Sequence, residues 1–281
     1  MHEHPLQRFF KSLRERPVFA WERYQLRDVL VIDHPLCQAV FSRQGAQLLH
    51  FQPKGQKPWL WCAAKWPHVG AIRGGVPVCW PWYGRHPSEN AWPSHGWARL
   101  LDWKLLDSST DDGVRLHWQL QLCDWQVDLH AHLGERLDLR LATEHQDSLP
   151  CQLSQALHAY WRIGDVGEVA LSGLDGVQGY DQLKRQACQQ EGELRVDGGC
   201  QRVFQHEGEL QLKDPVWQRQ LCIDTGDDAN TVVWHPGTRP LLGVSWNEMS
   251  EFVCVEAASG GGRGLAPGER ANLSLQARVG A

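Results

Sequence analysis

Apolar and polar residues alternate strictly along three consecutive stretches of the chain. Leu116, Trp118, Leu120 and Leu122 are interleaved with Arg115, His117, Gln119 and Gln121; Trp125, Val127, Leu129, Ala131 and Leu133 with Gln126, Asp128, His130 and His132; Leu137, Leu139 and Leu141 with Arg136, Asp138 and Arg140. Successive side chains of a strand point to opposite faces, so each stretch predicts a strand with one buried face. The short polar connections between them predict an antiparallel meander. Near the C-terminus Leu273, Leu275, Ala277 and Val279 alternate with Asn272, Ser274, Gln276 and Arg278, which predicts a closing strand. Helical periodicity is thin. It predicts one short helix over Leu6–Leu13, in an N-terminal extension of residues 1–16. The expected fold is all-β, a large antiparallel β-sandwich formed by residues 1–281 as one domain.

Two segments depart from one-sided alternation, and a third carries polar residues on one strand face. Ile72–Tyr83 (IRGGVPVCWPWY) mixes glycine, proline and large apolar residues, which suits a bent segment lining a cleft. Phe252–Glu256 (FVCVE) is apolar on both faces and predicts a central strand with Glu256 at the end of a buried element. Gln152–Trp161 (QLSQALHAYW), read as one strand, puts Leu153, Leu157, Ala159 and Trp161 on one face, with Gln155 as an exception. Ser154, His158 and Tyr160 then share the other face, as in the concave side of a ligand-holding sheet. The run Gly260–Gly262 with Gly264 reads as a flexible loop, because its spacing does not match a dinucleotide fingerprint.

Composition narrows the partners. The chain has 281 residues, 42% of them hydrophobic, and a net charge of -5. That charge gives no general attraction for nucleic acid or an anionic membrane, so an anionic ligand must be captured by local cations. The nine cysteines are odd in number, irregularly spaced and contain no C-x-x-C pair. They predict free thiols, a reducing compartment and a cytoplasmic location. No leader-like segment and no bilayer-length apolar run is visible. Trp (15) outnumbers Phe (7) and Tyr (4) together, and its flat amphipathic ring serves equally a core or the apolar face of a sugar.

Candidate chemistry starts with Glu256. A buried carboxylate costs several kcal/mol unless paired, and functional sites are where that cost is commonly tolerated; a structural carboxylate held by a nearby Arg is the alternative. His158 is the second candidate, against a satisfied core histidine. Arg73 precedes two glycines that let backbone approach a ligand closely, and Arg99 closes a turn-like segment that also offers Ser94 and His95. Either guanidinium suits a phosphate; solvated surface arginines are the alternative. His130 and His132 share a face that is polar and solvated, and no metal site is expected.

Six segments together resemble the D-hexose-6-phosphate mutarotases (glucose-6-phosphate 1-epimerases), a branch of the aldose 1-epimerase or galactose-mutarotase-like superfamily. They are Gly45–Phe51 (GAQLLHF), Ala71–Gly84 (AIRGGVPVCWPWYG), Pro93–Arg99 (PSHGWAR), Gln155–Tyr160 (QALHAY), Thr231–Gly237 (TVVWHPG) and Phe252–Ala257 (FVCVEA). The resemblance spans about Val29 to Val279. It implies a β-supersandwich with a concave sugar cleft, His158 as the acid and Glu256 as the base. Arg73 and Arg99 then hold substrate with help from Ser94 and His95, and Trp234 packs beside the sugar. Relatives usually carry an aspartate where this chain has Gln201; an amide still donates and accepts hydrogen bonds but carries no charge.

On this reading a monomeric enzyme without cofactor or metal interconverts the α and β anomers of a hexose 6-phosphate, and neither nucleic acid nor membrane is a partner. Glu256 takes the O1 proton and His158 gives one to the ring oxygen. The two groups are expected on opposite sides of the C1–O5 bond, facing each other across a pyranose-wide space. The neighbouring carboxylate would keep the imidazole protonated at neutral pH. A mutarotase for free aldoses and a non-catalytic sugar-binding protein are the competing readings.

Overall fold

A computed structural model of the chain describes residues 5–13, 18–206, 208–227 and 229–280. Helix Pro5–Ser12 is one residue ahead of the expected Leu6–Leu13, while the rest of the expected extension, residues 1–4 and 14–16, lies outside the described residues. The meander is strands Val114–Leu122, Trp125–Leu133 and Leu137–His145, paired antiparallel in a nine-stranded sheet. Leu116, Trp118, Leu120, Val127, Leu129, Ala131, Leu137, Leu139 and Leu141 all point into the core, as the alternation requires. The closing strand Arg270–Val279 joins the same sheet, pairing Leu137–His145 on one side and Arg219–Asp224 on the other.

An eight-stranded antiparallel sheet packs over this one, and a four-stranded sheet from Phe19–Tyr24 to Gln47–Pro53 closes the core. Three strands of this sheet, Arg27–Asp33, Cys37–Ser42 and Gln47–Pro53, are buried on both faces. Leu30, Ile32, Ala39 and Phe41 face the main core, whereas Val29, Val31, Val40 and Leu49 meet Leu6 and Phe10 of the helix. A strand sandwiched in this way loses its polar face, which is why these strands show no alternation in sequence.

Three of the expectations for the remaining segments change. Phe252–Leu265 is one long strand, so Glu256 lies within it rather than at its end. The glycines after Ser259 continue that strand against Cys151–Leu157, with Gly264 opposite Gln152, and are not a loop. Gly260–Gly262 form a bulge there, between the pairs Gln155–Ser259 and Leu153–Arg263. Conversely, Gln152–Trp161 is not one strand. It breaks at His158–Ala159 between strands Cys151–Leu157 and Tyr160–Arg162. The exceptional Gln155 is fully buried because Thr143 donates to its Oε1 (2.9 Å) and Trp80 Nε1 donates to Thr143 (3.1 Å). That chain ties the two large sheets through the core.

Within Ile72–Tyr83 only Val78–Cys79 is a strand, as befits a bent segment. Gly74 and Gly75 thread it between strand Gln47–Pro53 and the Trp61–Ala63 backbone. A Cβ on Gly75, whose φ is +62°, would lie 2.0 Å from the Leu48 carbonyl oxygen. Gly75→Ala is therefore expected to cost at least about 3 kcal/mol, from left-handed strain plus a backbone clash. Urea unfolding of the purified variant measures this, and a cost under about 1 kcal/mol contradicts the packing described.

Candidate active site

Glu256 sits on the central strand of the eight-stranded sheet, and period two puts Phe252, Cys254, Glu256 and Ala258 on one face. Cross-strand register extends that face. Gln201, Trp234, Cys254 and Tyr160 form one row over four neighbouring strands, and Val203, Val232 and Glu256 form the next. The opposite residues Val233, Val253, Val255 and Ala257 belong to the main core. Glu256, Tyr160, Trp234 and Gln201 thus share the face turned away from the main core, with Val203 and Val232 beside them.

His158 arrives from the strand break, its amide donating to the Pro77 carbonyl at 3.1 Å. Its ring stacks on Tyr160 (4.8 Å, 7° between planes) and meets Trp234 (5.9 Å) and His95 (5.7 Å) edge-on. The stack fixes the imidazole with Nδ1 3.3 Å from Glu256 Oε1. His158 is 8% exposed and Glu256 0%. Neither facing atom has a hydrogen bond of proper geometry, while Glu256 Oε2 accepts one from the Tyr83 hydroxyl at 3.0 Å. The acid and base are in contact, not on opposite sides of a sugar-sized gap. Chemistry favours this arrangement, because both oxygens that exchange protons, O1 and O5, are bonded to the same carbon.

The protons also sit differently from the expectation. Burial pushes the Glu256 carboxyl up to about 8, with the Tyr83 hydrogen bond opposing it. Burial holds the His158 imidazole well below its ordinary value, helped by the charges of His95, Arg99 and Arg73. The empty site therefore holds a neutral carboxyl and a neutral imidazole at neutral pH. The carboxyl does not keep the imidazole charged, because both groups lose hydration and two guanidiniums lie near the ring. His95, buried and close to the same two arginines, is pushed down to about 3 and is neutral as well.

Arg73 donates to the Tyr160 hydroxyl (3.4 Å) and Arg99 to the Ser94 carbonyl (2.5 Å). Among the described residues no carboxylate lies within ion-pair distance of either arginine. Two positive charges thus stand beside the acid/base pair without a counter-charge. Ser94 takes part through its backbone, since its hydroxyl is spent on the Gly84 carbonyl (3.2 Å). His95 Nδ1 accepts from the Gly84 amide at 3.3 Å and packs against Tyr83. Gln201 shares the row with Trp234 but sits two strands from Cys254, its amide donating to Gln182. It borders the site without touching the pair.

Residues that sequence reasoning did not single out are Tyr83, Tyr160 as a stacking partner, and Cys254. Tyr83 ends the segment already read as a cleft lining, and Cys254 was legible from its two-residue offset to Glu256. The loop carrying His95 is built on Trp82, which stacks on Trp92 (5.3 Å) and meets Trp97 edge-on. Those tryptophans serve the loop.

An antiparallel sheet holding a buried imidazole–carboxyl pair beside two arginines is the kind of site that proton transfer on a sugar requires. Residues 28–278 match the family model for aldose 1-epimerase, and the chain belongs to that family. It is 32% identical to the Escherichia coli (strain K12) protein named "Putative glucose-6-phosphate 1-epimerase" over 262 residues, covering 86% of each chain. A Salmonella typhimurium protein of the same name is 32% identical over 260 residues, covering 85% of this chain and 86% of that one. Among solved structures, that of a "putative mutarotase" from Salmonella typhimurium superimposes with a TM-score of 0.90 at 26% identity, covering 98% of this chain and 99% of that chain. The galactose-mutarotase-like β-supersandwich is thereby established.

Proposed function

We propose that the chain interconverts the α and β anomers of a hexose 6-phosphate, with glucose 6-phosphate as the leading substrate. The observation that carries this reading is the buried His158–Glu256 contact flanked by two arginines that lack a carboxylate partner. An acid/base pair serves any aldose; the unneutralised cations call for a substrate that brings negative charge. The names of the Escherichia coli and Salmonella relatives support the same substrate.

The substrate phosphate supplies the charge that Arg73 and Arg99 lack. Burial depresses His158 most, and the phosphate offsets the further push from Arg99 and Arg73, which favours movement of the Glu256 proton across the 3.3 Å contact to Nδ1. This produces the carboxylate and imidazolium the reaction needs. Glu256 then removes the O1 proton while His158, through Nε2, delivers one to O5. The C1–O5 bond breaks, C1=O1 forms as an open-chain aldehyde, C1 rotates about C1–C2, and the reverse transfers close the ring on the other face. No electrons are gained or lost. Trp234 and Tyr160 bracket the imidazole, and His95, neutral beside Arg99, offers a hydrogen bond rather than a charge. Gln201 contacts sugar hydroxyls at the rim, the place usually held by an aspartate in relatives. A non-catalytic sugar binder gains nothing from a carboxyl and an imidazole buried against each other.

Exchange NMR at equilibrium tests the reading directly. Magnetisation transfer between the C1 protons is expected to accelerate with glucose 6-phosphate and far less with glucose. Equal acceleration of both sugars removes the phosphate from the proposal, and acceleration of neither removes the catalysis.

A further inference from the structure

Cys254 lies two residues before Glu256 on the same strand and face, and its thiol is buried at the foot of the acid/base pair. His158 Nδ1, Cys254 Sγ and a Glu256 carboxylate oxygen all lie within 4.8 Å of one another. An imidazole nitrogen, a thiol and a carboxylate are three ligand types that zinc accepts, and three protein ligands plus one open position is the arrangement of a non-structural zinc site. With metal–ligand distances of about 2.0–2.3 Å, tetrahedral geometry sets ligand–ligand edges of roughly 3.3–3.7 Å. The His158–Glu256 separation of 3.3 Å is already such an edge, and the thiol lies within 4.8 Å of both groups. Two of the three atoms, His158 Nδ1 and Glu256 Oε1, are buried without a hydrogen bond, so a cation there satisfies groups that otherwise have no partner.

We propose that His158, Cys254 and Glu256 form an inhibitory binding site for a borderline-soft divalent cation of the zinc class, which stops turnover by ligating the acid and the base together. Binding displaces the thiol proton and the carboxyl proton, leaving thiolate, carboxylate and neutral imidazole around the ion. Hard cations such as magnesium, which prefer oxygen ligands, gain little from a thiol and an imidazole and are expected not to inhibit. Arg73 and Arg99 oppose a second cation nearby, so the site is expected to bind more weakly than a closed structural zinc centre. Proton release makes affinity rise with pH. A substrate competes because its O1 and O5 must reach the same two groups, Glu256 and His158, that the ion ligates.

Inhibition rests on the function proposed above, whereas binding does not. The test titrates zinc chloride into the chelator-stripped full chain, following heat of binding and, separately, anomer exchange on glucose 6-phosphate. Cadmium chloride serves as an optical probe, because a cadmium–thiolate bond absorbs in the ultraviolet. The expected result is one zinc site per chain, loss of exchange at the same zinc concentration, cadmium absorption, and no effect of magnesium. Cys254→Ser is expected to keep exchange in the absence of metal, lose the cadmium band, and weaken zinc inhibition at least about tenfold. Cys254→Ala is the second variant should the serine hydroxyl disturb folding, and Cys123→Ser, at an exposed free cysteine, is the control that changes nothing. Zinc inhibition unaltered in both Cys254 variants, or no zinc binding by the parent, overturns the proposal. Cys254-dependent binding in a chain that shows no exchange with either sugar leaves the metal site standing and overturns the function instead.

Discussion

Glu256→Gln and His158→Asn are each expected to lower kcat for anomer exchange by about 10²- to 10⁴-fold, the contribution of a positioned proton-transfer group. The double variant is expected to be scarcely slower than either single one, because one group without the other cannot complete a net proton exchange between O1 and O5. Both replacements are near-isosteric, so cooperative thermal unfolding should be retained. An activity of either single variant within about threefold of the parent removes the assigned roles.

The same pair fixes the pH dependence. The reactive form, carboxylate with imidazolium, carries the same single proton as the resting form, neutral carboxyl with neutral imidazole. kcat/KM, measured with a chelator present, therefore falls as pH rises past about 8, where Glu256 in the free enzyme gives that proton up. Below that limb it is level until the imidazole gains a second proton or the substrate phosphate loses its full charge. Tyr83→Phe removes a hydrogen bond that favours the ionised carboxyl, so its alkaline limb moves to higher pH. A limb that stays in place, or moves down, shows that Tyr83 does not act through Glu256.

Arg73→Ala and Arg99→Ala form the second large effect, on substrate preference. Hydrogen bonds to charged groups contribute about 1.5–3 kcal/mol, so each loss is expected to lower kcat/KM for glucose 6-phosphate by roughly 10- to 100-fold. The rate with glucose should change little, so the ratio between the two sugars collapses. Arg99→Ala carries an added cost because its guanidinium also holds the Ser94 carbonyl and with it the loop of His95. Removing either cation also raises the His158 imidazole toward its ordinary value, which ring-nitrogen NMR reads without substrate. A unchanged sugar ratio in both variants places the phosphate elsewhere.

Sequence pattern was a good guide wherever one face of a strand meets solvent. The meander from Val114 to His145 and the closing strand carry their buried face as an every-second-residue stripe, because the polar side must stay hydrated. The strands around Val29 and Phe41 show no such stripe, since the helix covers their second face. The glycines after Ser259 look like a loop by composition yet lie in a strand, as a bulge held between the pairs Gln155–Ser259 and Leu153–Arg263. The break at His158 is equally invisible in a ten-residue run of strand-like residues.

The sequence by itself determined the sheet-rich fold, the identity of His158, Glu256, Arg73 and Arg99 as the residues to watch, and the family. Motif residues survive in order along a chain whatever their spatial relation, so a linear reading finds them. Tertiary contacts were needed to show that His158 and Glu256 touch at 3.3 Å, that Tyr83 holds the carboxyl, that Gln201, two strands from Cys254, bonds Gln182, and that the Cys254 thiol lies within 4.8 Å of both groups. Tertiary structure also decided where the protons rest. Charge state depends on hydration lost and on cations brought near from distant segments, Arg73 and Arg99 among them, and neither quantity is written in the local sequence around His158 or Glu256.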